Sequence, residues 1–469
     1  MTQTTVQSLR DKPAVRWTAL ILVALTMFFG YMFVDVLSPL KTQLEETVKW
    51  DSTIFGTYGS SEFFINVFCG FLIFAGIILD KMGVRFTAIL SGSLMLLGAI
   101  IKIYALSEYF NMGGVGFDLL NSASFPASAK LSCIGFALFG CGCEMGGVTV
   151  SRAIVKWFQG KEMALAMGIE MAIARLGVFA VFWTSPMISK HFAQKGEMFL
   201  SVQAPVIFVG ILLAIGLILY IIYGFMDKAL EKEQGAEEIE EEEPFKFSDL
   251  GKVFGSGMFW IVALLCVLYY SAIFPFQKYA TEMLSSNIGL ETETAAKIFS
   301  MFPLGAMFIT PLLGAFLDYK GKGATMLIIG AVLMFACHAT FAFFPFQSVS
   351  HSAAVSIAIT AIIVLGISFS LVPAALWPSV PKIIDNKVLG SAYSAIFFIQ
   401  NIGLMSVPII IGRILDITNP NVAPGEPKNY TTAMIVFAMF GVAAFFLGFV
   451  LKIADKKKGF GLELPNKTK

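Results

Sequence analysis

GIILDKMGVR, residues 76–85, and GAFLDYKGKG, residues 314–323, are the two stretches whose likeness fixes the architecture. Gly76, Asp80 and Gly83 recur as Gly314, Asp318 and Gly321, each pair separated by the same interval. Each copy ends the second long apolar segment of a group of six. The chain therefore reads as two parallel repeats related about an axis along a membrane normal. Glycines at these places let a helix end and its neighbour approach closely, while the aspartate can accept from a helix amino terminus or pair with a cation. Lys81 and Arg85 offer cations beside Asp80, and Lys320 and Lys322 offer them beside Asp318. Such a contact stabilises a closed face and breaks when two halves rock apart. Gly76, Asp80, Gly83, Arg85, Gly314, Asp318 and Gly321 are thus candidate gating residues.

Working outward, the apolar segments fall near residues 17–38, 55–78, 86–107, 132–155, 162–188 and 203–225. A second set falls near 255–277, 294–317, 324–345, 354–380, 388–414 and 431–452. About 20 residues of helix cross a bilayer, and in lipid each backbone must satisfy its own hydrogen bonds, which excludes strands of this length. The expected fold is an all-α membrane protein of twelve transmembrane helices in two six-helix bundles. Composition agrees, because 57% of the 469 residues are hydrophobic and 14% are charged, against about 25% charged in soluble domains. The expected units are residues 1–226, an acidic cytoplasmic linker over 227–254, and 255–469 with a short tail. No extramembrane domain large enough for an enzyme is expected, nor a detachable signal peptide, since the first apolar stretch is long and leads into further spans.

Basic residues set the orientation. Arg10, Lys12 and Arg16 lie at the amino end, Lys452 and Lys456 to Lys458 at the carboxyl end, and Lys156, Lys161, Lys382 and Lys387 in alternate loops. The positive-inside rule then puts both termini in the cytoplasm. The run Glu240 to Glu243, with Glu231, Glu233, Glu237 and Glu238, repels itself and reads as a solvated linker. A net charge of +1 argues against nucleic acid. The six cysteines lie mainly in apolar segments with no metal-ligand spacing, so neither metal nor cofactor is expected.

Two charges interrupt the fourth and fifth segments, GCGCEMGGVTVSRAIVKWFQGKEMALAMGIEMAIARLG. Glu144 and Arg175 each stand roughly 15 residues from the turn near Gln159, or about 23 Å along each helix, near the bilayer midplane. A charge there is costly unless it faces a cavity or a partner. A structural ion pair is one reading. The other is a site for a zwitterion, with Arg175 presenting a bidentate fork to a carboxylate and Glu144 accepting from an ammonium. Neutral sugars need neither sign. Tyr269 and Tyr270 on the seventh segment, and Gln400 and Asn401 on the eleventh, also fall near mid-depth. Adjacent residues of a helix cannot all face one lumen, so one of each pair is expected to pack elsewhere. Trp377 lies nearer the cytoplasm. Asp35 and Glu62 lie toward the outer ends of their segments, and His338 reads as a helix-interface residue. Glu170 sits roughly 140° around the helix from Arg175, placed to pair with Arg152 or basic loop ends, so Glu170 and Arg152 join the gating set.

The glycine, aspartate, glycine and basic pattern resembles the signature of the major facilitator superfamily. That resemblance implies two six-helix halves and alternating access around one central cavity. Within the superfamily, the fourth-to-fifth segment and ALWPSVPKIIDNKVLGSAYSAIFFIQNIG resemble the lysosomal dipeptide transporters. This implies uniport of short peptides, with Glu144 and Arg175 at the central site and Asp35 and Trp377 on matching motif positions. A proton-coupled carrier of amino acids or small organic anions is the alternative, with Glu144, Glu62 and Asp35 as titrating groups. The lysosomal family has a dileucine signal near its amino end, whereas MTQTTVQSLRDKPAVRW has none, so a bacterial inner or plasma membrane is expected over a lysosome. A monomer is expected; an accessory membrane protein is conceivable, because the family has a glycosylated lumenal partner.

Overall fold

The second apolar segment, read as one span, is instead broken twice. Its helical pieces are Ser52–Ser61 and Phe64–Cys69, followed by a third that begins at Phe71. Gly70 breaks the helix with φ +61°. The third piece runs on as Phe71–Ala105, interrupted only at Gly83, where φ +76° and ψ 169° turn the chain from the second passage into the third. A side chain at Gly83 would meet no atom within 4 Å, so glycine is needed there for backbone conformation and not for space. This break is why eleven helices among the described residues are long and apolar enough to cross a membrane while the chain makes twelve passages. The structure, a computed structural model, describes residues 8–159, 161–234, 247–385 and 388–465. Gly160, Lys387 and the acidic run from Glu237 to Glu243 lie outside the described residues.

The other passages follow the apolar pattern. In the first half they are Pro13–Val34, Ala127–Phe158, Met163–Ala193 and Met198–Gln234. In the second half the seventh is Gly257–Ile288, the eighth Met301–Lys320, the ninth Gly323–Phe343 and the twelfth Thr431–Lys458. The tenth is His351–Leu371 continued through one π-helical turn into Trp377–Ile383. The eleventh is Leu389–Thr418. Between the halves, the second passage packs on the eleventh and the fifth on the eighth.

The halves are fastened at the face opposite the chain ends. Asp35 accepts from Gln277 Nε2 at 2.5 Å and from Lys278 Nζ at 3.2 Å. Glu282 pairs with Lys41 at 2.7 Å and with Lys428 at 3.5 Å, and accepts from the Tyr430 hydroxyl. Lys428 also pairs with Glu45. Asp416 of the eleventh passage accepts from the backbone N–H groups of Ser52 and Thr53, at 3.0 and 2.7 Å. It thereby caps the second passage from the other half. On the face that carries the chain ends, the described ion pairs stay within one half. Arg152 meets Asp80 at 2.8 Å, Arg85 meets Glu231 at 2.7 Å, and Lys452 meets Glu463 at 3.9 Å. The molecule is closed at one end and parted toward the other.

The second copy of the repeated motif has an occupant of its own. The chain after the twelfth passage turns back, and Lys322 and Gly323 donate their N–H groups to the carbonyls of Glu463 and Leu462 at 3.0 and 2.9 Å. Glu463 accepts from Thr325 N at 2.8 Å and Thr325 Oγ1 at 2.7 Å, capping the ninth passage. Gly321 has φ +70°, and a Cβ there would stand 2.5 Å from the Glu463 carbonyl oxygen. The tail, not a neighbouring helix, is what crowds this glycine. Glu463→Ala should lower stability by about 1 kcal/mol, the ordinary worth of such a cap, read as a lower thermal unfolding midpoint.

Candidate functional site

Glu144 and Arg175 do not pair with each other; among the described residues no ion pair joins them. Arg175 on the fifth passage lays its guanidinium over the Phe369 ring of the tenth, 4.8 Å from the centroid. Tyr270 of the seventh passage and Tyr31 of the first lie within its electrostatic reach. Gly177, two residues on, allows this placement, since a Cβ there would stand 2.3 Å from the Phe28 carbonyl oxygen of the first passage. Glu144 on the fourth passage reaches across the halves to the Asn401 side chain of the eleventh. Tyr31 adjoins both charges. Both are half-buried.

The second half supplies an aromatic wall. Tyr270 stands 5.9 Å from Phe369, 5.4 Å from Phe274 and 6.5 Å from Trp377 by ring centroids. Trp377 stands 5.0 Å from Phe397. One half thus offers fixed charge and the other a face of rings and carboxamide. A cation over a ring gains about 0.5–2 kcal/mol, which holds Arg175 in place without consuming its in-plane donors.

The structure separates the neighbours that sequence left together. Tyr270 and Asn401 face the site, whereas the Tyr269 hydroxyl donates to Leu327 O and Gln400 accepts from Cys266 Sγ at 3.2 Å inside the second half. Asp35 belongs to the closed face with Gln277 and Lys278, away from Arg175, because it ends the first passage beyond mid-depth. Among the gating candidates, Arg152 is engaged by Asp80. Glu170 therefore stands near Tyr31 and Tyr220 with no ion pair among the described residues. Arg85 turns from Asp80 to Glu231 and Asp227. A Cβ at Gly76 or Gly314 would meet nothing within 4 Å, so the close approach expected of these two glycines is not made on a parted face. Asp318 is half-buried at the end of the eighth passage.

Sequence reading missed Lys102 and Lys278. Lys102 is fully buried, donates to the Tyr58 hydroxyl at 2.6 Å and lies 3.8 Å from the Phe33 ring centroid and 4.1 Å from that of Phe136. Each was visible as a lysine inside an apolar run, AIIKIYAL and FPFQKYATEM, which is itself a functional signal. Tyr31 and Phe369 carried no such mark. A groove of about 280 Å³ between the ninth and tenth passages holds Thr340, Ser356 and Thr360. Their hydroxyls donate to carbonyls of their own helices, which leaves that groove apolar and remote from the charges.

A family model described as Major Facilitator Superfamily matches residues 20–408. The chain is 27% identical over 408 residues to the lysosomal dipeptide transporter MFSD1 of Bos taurus, covering 86% of this chain and 80% of that one. With the protein of the same name from Danio rerio it is 26% identical over 462 residues, covering 97% and 90%. Among solved structures, the nucleoside transporter NupG superposes with a TM-score of 0.64 at 14% identity, covering 92% and 98%. A bacterial homologue of the human lysosomal transporter Spinster, in an inward-facing and occupied conformation, superposes with a TM-score of 0.66 at 15% identity, covering 94% and 98%.

Proposed function

We propose that this chain, which belongs to the Major Facilitator Superfamily, carries short zwitterionic peptides across its membrane by alternating access. The observation that carries the proposal is the independence of its two central charges. Arg175 rests on Phe369 and Glu144 turns to Asn401, so neither is neutralised by the other. A buried pair kept for structure gains by meeting, because each charge otherwise stays uncompensated. Two opposite charges held apart at one depth suit a solute that brings both signs. Arg175 takes the carboxyl end, Glu144 the amino end, and the wall of Tyr270 and Trp377 takes the body of the peptide. The relatives named for dipeptide transport support this substrate class. The reading includes uniport by a monomer in a plasma or bacterial inner membrane, with both termini cytoplasmic.

Radiolabelled dipeptide uptake into proteoliposomes tests it. Arg175→Ala and Glu144→Gln should each reduce uptake at low substrate by about 100-fold, the order expected when a charged hydrogen-bond partner is lost. Intact uptake in both would sink the assigned roles. Glu62 favours a second reading, a proton-coupled carrier of amino acids or small organic anions. It is buried, and its Oε2 has no hydrogen-bond partner among the described residues. Accumulation against a gradient, driven by a pH difference and abolished by Glu62→Gln, would replace uniport with that reading.

A further inference from the structure

Asn66 is a carboxamide that the fold leaves unsatisfied. It is 2% exposed, and neither its Nδ2 nor its Oδ1 has a hydrogen-bond partner among the described residues. Leaving a buried polar group unpaired costs about 1–3 kcal/mol, so such a residue in the middle of a membrane protein needs a reason.

Two contacts fix its level. The second and fourth passages run in the same direction, and a Cβ at Gly140 would stand 2.0 Å from the Glu62 carbonyl oxygen. One turn further along both chains, Asn66 comes level with Glu144. The second and eleventh passages run in opposite directions, and Cβ atoms added at Gly56 and Gly412 would stand 2.2 Å from the Pro408 carbonyl oxygen and 2.1 Å from that of Ser52. Carried on in equal steps, that register sets Asn66 opposite Phe398, one turn from Asn401. Both registers bring Asn66 to within about one turn of the place where Glu144 faces Asn401.

We infer that Asn66 is a substrate-binding residue, its carboxamide and that of Asn401 flanking Glu144 to complete the subsite for the amino end of the solute. A carboxamide supplies both a donor and an acceptor, which suits an ammonium beside a peptide group. The short piece Phe64–Cys69 that carries Asn66 packs on both the fourth and the eleventh passages. It lies on the line along which the halves part. The eleventh passage covers the amide in this conformation and uncovers it as the halves rock, so the unsatisfied state is one stage of a cycle. This inference rests on the zwitterion reading above.

The full-length chain is tested as Asn66→Leu, Asn66→Ser and Glu144→Gln, with L-alanyl-L-alanine as probe. Thermal unfolding is followed with and without dipeptide, and the KM for uptake is measured in proteoliposomes. Asn66→Leu should unfold at the same or a higher temperature without ligand, because an apolar group replaces an unpaired amide. Its dipeptide-induced shift should vanish and its KM should rise tenfold or more, and Asn66→Ser should show the same loss of ligand response. A purely structural role predicts the opposite pattern, a lower unfolding temperature with the ligand response retained. If both Asn66 variants respond like wild type while Glu144→Gln does not, Asn66 lies outside the site and the zwitterion reading stands. If Glu144→Gln also responds like wild type, that reading falls and this inference falls with it.

Discussion

Gly412→Ala should hold the closed face apart and cut dipeptide uptake by about 100-fold. Gly412 lies on the eleventh passage, and a Cβ added there would stand 2.1 Å from the carbonyl oxygen of Ser52 in the other half. Backbone meets backbone at this point, so no side-chain rotation relieves the collision. Overpacking a well-fitted contact costs about 1–3 kcal/mol, and a backbone clash belongs at or beyond the top of that range. About 2.7 kcal/mol is a hundredfold shift in a two-state balance. The cost falls only on the closed state, because Ser52 belongs to the half that moves away when this face opens. Folding of each half should therefore be preserved. Spin labels at Lys49 and Asn421, exposed on opposite halves of this face, should report a longer separation in Gly412→Ala. An unchanged distance distribution would refute the claim.

Glu282→Ala should open the same face through charge. Glu282 answers Lys41 at 2.7 Å and Lys428 at 3.5 Å while accepting from Tyr430, all buried. Its removal leaves two buried ammonium groups with Glu45 alone. Breaking a buried pair by deleting one partner costs about 3–5 kcal/mol, mostly the exposed desolvation of the charge left behind. Opening the face lets water reach Lys41 and Lys428, so the loss is concentrated on the closed state. The label separation should lengthen as in Gly412→Ala. Glu282→Gln keeps an acceptor for Tyr430 and should give a smaller effect. Equal responses in the two variants would show that hydrogen bonding, not charge, holds the clasp.

The two perturbations bear on how the central site is used. A solute that spans Arg175 and Glu144 also touches both halves, through Phe369 and Asn401. It can favour passage between the two end states only if its contacts are strongest in between. Variants that abandon the closed face should still bind dipeptide from the open side yet fail to carry it. Binding measured by thermal shift should then survive while uptake does not.

The sequence by itself determined the architecture and marked the charges that the membrane interior makes costly. Apolar length fixed the passages, the duplicated glycine and aspartate motif fixed the two halves, and the rarity of charge in lipid singled out Glu144 and Arg175. These signals are local: they depend on segment length, spacing and the cost of burying a charge. Tertiary structure alone decided who meets whom. Nothing in the chain order tells that Arg175 rests on Phe369, that Tyr270 faces the site while Tyr269 turns away, or that Asp35 is spent on Gln277 and Lys278. Nor does it tell that Glu62 lies against Gly140, which brings Asn66 to the level of Glu144. Each of those pairings joins residues from distant passages, and rotation about a helix axis, which composition does not encode, settles them. That rotation is set by where small residues let backbones touch, as at Gly140 and Gly412, once all the helices are packed together.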